Sequence, residues 1–151
     1  MNLLRTTMIV AAVVPTAATA WAEWYEPPQA GAIRHALVAA FDKPEQRLVV
    51  DPVAVVGDHA VAGWTQGDMG GRALLRLKNG AWAIVLCAGD QLLDPNALRH
   101  AGLTETSAKQ LAAATRDAER QTPPARVAMF SRFEGLVSME DHSHPQPHPK
   151  H

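Results

Sequence analysis

Four histidines crowd one end of the chain: His142, His144, His148 and His151, interleaved with Pro145, Pro147 and Pro149. Proline removes backbone donors and fixes φ, so the pattern predicts an extended, solvated, disordered segment over residues 140–151. Imidazoles on such a pliable chain can converge on one ion. Imidazole suits copper, zinc and nickel, and copper(II) ranks highest in divalent affinity. Met139, at the root of the segment, adds a thioether suited to copper(I), and Asp141 adds a hard oxygen. Together these six side chains are the candidate metal ligands; the competing reading is a tail with incidental histidines. His35, His59 and His100 are scattered, lack the paired spacing of a dedicated metal site, and are expected on the surface or in the core.

Cys87 is the only cysteine among 151 residues, so an internal disulfide is excluded. Its expected position follows from a hairpin. The stretch GGRALLRLKNGAWAIVLCAG, residues 70–89, has two apolar runs flanking Asn79-Gly80, the pair best suited to a two-residue type I′ turn. That turn sets Leu77 opposite Trp82, Leu75 opposite Ile84 and Ala73 opposite Leu86, all on one apolar face. The other face then pairs Arg76 with Ala83, Leu74 with Val85 and Arg72 with Cys87. A guanidinium beside Cys87 would favour its thiolate; the plainer alternative is a small buried hydrophobe. Arg72, Arg76 and Lys78 are expected to be solvated. Trp64 and Trp82 are expected as core aromatics or as the floor of a ligand pocket.

The elements that must position these groups can be read in order. AGAIRHALVAAF places Ile33, Ala36, Leu37, Ala40 and Phe41 on one side of a helix that stops at Asp42-Lys43-Pro44. Strands are expected over 48–56, with Pro52 at a bulge or edge, and over 59–66. Gly67 to Gly71 reads as a flexible loop into the hairpin. Asp94-Pro95 reads as an N-cap followed by proline at the first helical turn. A further helix over 105–121, capped by Thr104, turns Ala108, Leu111, Ala112, Thr115 and Ala118 to one side. A final extended piece is expected near residues 136–139. The sum is an α+β domain over 23–139: an N-terminal helix on a four-stranded antiparallel meander, in the manner of a cystatin-like or NTF2-like roll, followed by C-terminal helices.

The hydrophobic fraction of 47% and charged fraction of 19% are those of a globular chain, and a net charge of −1 gives no basic footprint for nucleic acid. Residues 1–22 read as a secretory signal: Arg5, an apolar run from Met8 to Val14, and Ala20-Trp21-Ala22 for cleavage. The run is too short to span a bilayer. A periplasmic protein without a membrane span in its mature form is therefore expected.

VVGDHAVAGWTQGDMGGRALLRLKNGAWAIVLCAGD resembles the central block of the small exported alphaproteobacterial proteins labelled copper uptake system-associated proteins. IRHALVAAFDKPEQRLVVDPV and the histidine-bearing end are similar too, so the resemblance covers about residues 31–144. It implies a periplasmic accessory role in copper acquisition, and it supplies no catalytic residue set. The expected function is non-enzymatic copper binding, with a periplasmic copper chaperone or an outer-membrane copper transporter as partner. Two alternatives stand beside it: a small-ligand-binding roll with an incidental tail, marked by an apolar cavity near Trp64 and Cys87, and a thiol redox partner using Cys87.

Overall fold

The computed structural model describes residues 26–140. The expected signal, Asp141 and the four terminal histidines lie outside them. The order of elements is α1 (Ala30–Phe41), β1 (Leu48–Val56), β2 (His59–Gln66), β3 (Met69–Lys78), β4 (Ala81–Ala88), a 3-10 turn (Asp90–Leu93), α2 (Pro95–His100), α3 (Glu105–Glu119), α4 (Pro124–Phe130) and β5 (Leu136–Ser138). The strands form one antiparallel sheet in sequence order. It is an α+β fold with five strands rather than four, because residues 136–138 return after the helices to pair with β4. Among the described residues no helix is long and apolar enough to cross a membrane.

Helix α1 buries Ala30, Ile33 and Leu37, but Ala40 is exposed, so its apolar stripe is narrower than its spacing suggests. Asp42 ends the helix in an extended conformation, and its Oδ1 accepts the Leu48 amide at 2.7 Å, which starts β1. The register of β1 on β2 shifts between Val50 and Val53, the bulge expected at Pro52. A bulge leaves carbonyls without ladder partners. Here guanidiniums serve them: Arg34 Nε donates to Val50 O, and Arg126 donates to Asp51 O and Val49 O.

The central hairpin keeps its expected turn. Asn79 and Gly80 have φ of 51° and 79°, the positive pair of type I′, and Leu77 faces Trp82. Beyond Leu75 the register departs from expectation. Val85 is an extra residue in β4, so Leu74 faces Leu86, Ala73 faces Cys87 and Arg72 faces Ala88. One inserted residue moves every later side chain to the other face. Cys87 therefore lies on the Trp82 face and is not opposite Arg72.

Both faces of the sheet are covered. Helix α1 packs on Val50, Val53, Ala62, Ala73, Leu75 and Cys87. On the other side α2 and α3 bring Leu98, Leu103, Leu111 and Ala112 onto Val61, Leu74, Val85 and Leu86. Asp94 and Thr104 cap these two helices as expected, accepting from the amides of Asn96 and Ser107.

Gly70 and Gly71 lie within β3, not in a loop. Their missing side chains make space for the chain that follows α4. A Cβ on Gly70 would stand 2.7 Å from the Met129 carbonyl, and one on Gly71 would stand 2.8 Å from the Trp64 indole and 2.9 Å from Phe133. Neighbouring residues of a strand point to opposite faces. The chain thus passes from one face at Met129 to the other at Phe133, around the end of the sheet where β3 begins.

Arg72 is not solvated; it is 1% exposed. Its Nε and Nη2 donate to the two carboxylate oxygens of Glu119 at 2.6 and 2.8 Å, its Nη1 donates to Asp90 at 2.9 Å, and its guanidinium lies 5.5 Å from the centre of the Phe130 ring. Burial opposes the Arg72 charge, but the bonds and charge of Glu119, then those of Asp90, outweigh it and raise the pKa. Removing one partner of a buried pair strands the other. Arg72→Met should therefore cost about 3–5 kcal/mol in urea unfolding. The double variant Arg72→Met/Glu119→Leu should recover most of that loss. On the acid side, hydrogen bonding from Ser131, together with Arg72, holds Asp90 below the usual carboxylate range despite partial burial. Its contribution is present above the ordinary carboxylate pKa and should be lost as pH falls below about 4 in the same assay.

Candidate functional site

The C-terminal half of α1, the open end of the sheet and residues 133–139 enclose a cavity of about 270 Å³. Leu37 and Phe41 come from α1, Leu48 from β1, Trp64 and Gln66 from β2, Cys87 from β4, Phe133 from the segment after α4, Val137 from β5, and Met139 from just beyond it. Gly71 lets two aromatics meet at one end: the Trp64 and Phe133 rings pack edge to face, 5.7 Å between centroids at 80°. Gln66 lies in the lining, its Nε2 donating to Phe41 O at 2.8 Å and to Gln46 O at 2.9 Å.

Two polar groups stand out in this apolar lining. The indole Nε1 of Trp64 is buried without a hydrogen-bond partner among the described residues, an arrangement native structures rarely leave unexplained. The Cys87 thiol is 4% exposed, and burial pushes its pKa up to about 11. Cys87 is thus the small buried hydrophobe rather than a thiolate beside Arg72: with Arg72 on the other face, no guanidinium lines the cavity and desolvation alone governs Cys87.

Met139 is the one candidate metal ligand that lies within the described residues. Its amide donates to Val85 O at 2.8 Å, and its side chain forms cavity wall. Glu140, the last described residue, is held by Lys78 Nζ at 2.6 Å. His142, His144, His148, His151 and Asp141 lie outside the described residues. His35 and His100 are exposed, and His59 is buried with its Nδ1 2.7 Å from Asp58 Oδ1. Among the described residues no three His, Cys, Asp or Glu side chains converge as a metal site.

Trp64 and Cys87 were identifiable from sequence as a possible pair around a cavity. Leu37 and Phe41 read only as core, and Phe133 carried no signal, because its role depends on the turn around Gly71. No protein-family model, curated protein or solved structure matches this chain.

A thiol with a raised pKa is neutral at physiological pH and slow toward disulfide reagents. At about pH 8, Cys87 should react with a thiol-specific chromogenic reagent far more slowly in the folded protein than in denaturant. Because its folded pKa is raised, its stabilising contribution is complete below the ordinary thiol value. It should decline between about pH 8.5 and 11, read as a falling midpoint of unfolding.

Proposed function

We propose that this chain is a periplasmic accessory protein that collects copper and hands it to the uptake machinery, without catalysing a reaction. Three features support the reading: the resemblance to copper uptake system-associated proteins, the secretory-type start, and the imidazole-rich end. The observation that carries it is the anchoring of Met139 and Glu140 to the sheet at the cavity wall. An ion caught by His142, His144, His148 or His151 is thereby delivered beside a sulfur-bearing cavity. Copper fits this donor set best, with zinc and nickel next. A periplasmic copper chaperone or an outer-membrane copper transporter is the proposed recipient. The α1-on-sheet arrangement is proposed to be a roll of the cystatin or NTF2 type.

Copper(II) titration of the full chain against a version ending at Glu140 tests this. The full chain should bind, the shortened one should not, and binding should weaken as pH drops below about 6.5 and the imidazoles protonate. Equal copper(II) binding by both would remove the terminal histidines from the function.

A second reading is favoured by the cavity itself. An apolar enclosure with one unpaired indole donor suits a small apolar molecule bearing a hydrogen-bond acceptor. Saturable protection of Cys87 from thiol reagents by octanoate or octanol would support it.

A further inference from the structure

We infer that the cavity between α1 and the sheet binds one copper(I) ion between the Cys87 sulfur and the Met139 thioether. The inference rests on the copper reading above, and it assigns a second site, distinct from the imidazole-bearing end. Both residues line one half-open cavity. A third, Met69, pairs with cavity-lining Gln66 at the start of β3, and its side chain is 50% exposed.

The lining selects the ion. It contains no imidazole and no carboxylate, and the Gln66 amide nitrogen is already engaged. Zinc requires about four nitrogen, oxygen or thiolate ligands, and copper(II) prefers nitrogen and oxygen. A thiol with a thioether is the soft set that selects copper(I). Charge points the same way. One thiolate and one monovalent cation make a neutral unit, which an apolar enclosure accepts. A divalent ion would leave a net positive charge buried at high cost. The step balances without electron transfer: copper(I) arrives reduced, the Cys87 S–H bond breaks, a Cu–S bond forms and the proton leaves to solvent.

The test is anaerobic titration with copper(I) against a chromophoric copper(I) chelator. It uses the full chain, the chain ending at Glu140, and the variants Cys87→Ser, Cys87→Ala and Met139→Leu in each. The chain ending at Glu140 should still take up one equivalent, with the ultraviolet band of a copper–thiolate bond. Met139→Leu should weaken uptake about tenfold or more. Cys87→Ser should abolish the band, and Cys87→Ala guards against a folding defect peculiar to serine. Unchanged copper(I) affinity in folded Cys87→Ser or Cys87→Ala overturns the inference. Copper(II) binding by the full-length variants separates the two ideas. If it persists while copper(I) uptake ignores Cys87, only the cavity site fails. If the chain ending at Glu140 binds copper(I) through Cys87 while the histidines hold no copper(II), the cavity site stands and the role of the histidines falls.

Discussion

Everything on the back of the sheet hangs from Arg72. A guanidinium in the middle of an apolar layer is expensive to desolvate, and it is held there because carboxylates meet it from two directions. Glu119 comes from the end of α3 and forms a two-pronged pair; Asp90 comes from the 3-10 turn and is itself steadied by Ser131. Phe130 lays its ring against the same group, and Arg126 approaches that ring at 5.9 Å. Three elements distant in sequence thus have one relative position in which the charge is satisfied. The position of α4 decides where residues 133–139 re-enter the sheet, and so where the cavity wall stands.

The end of the sheet nearest α4 depends on absences of side chain on both faces. Gly63 would clash with the Phe130 ring at 2.6 Å if it carried a Cβ, and Gly89 with the Phe133 carbonyl at 2.6 Å. Gly63 and Gly70 open the Arg72 face to α4, and Gly71 opens the other face to Phe133. The chain following α4 can lie against backbone there and bring Phe133 over to Trp64. Ion pairing at Arg72 and close backbone approach around it are parts of a single placement.

Several elements could be read from local chemistry alone. The turn at Asn79-Gly80, the caps at Asp94 and Thr104 and the bulge at Pro52 each depend on a few adjacent residues, and each is found where expected. What could not be read depends on distant partners. The run AIVLCA is apolar throughout, so it lacks the alternation that would have disclosed the extra residue at Val85, and the face of Cys87 was assigned wrongly. Arg72 looked like an ordinary surface arginine because its partners lie 18 and 47 positions away. The paired glycines suggested suppleness, whereas they serve contact. Of the candidate site, Trp64, Cys87 and Met139 were visible as residue types; that Met139 lines the same cavity as Cys87 emerges only from the three-residue ladder of β5.

That ladder is the slimmest seam in the sheet. It joins β4 through three residue pairs, after a detour of about fifty residues whose closure entropy must already have been met by the helices. Leu136 and Val137 remain 55% and 41% exposed, so little burial reinforces it. Yet Val137 and Met139 wall the cavity. The wall of that space is therefore the part of the sheet most readily peeled, a local fluctuation that leaves the Arg72 cluster and the layer under α2 and α3 in place.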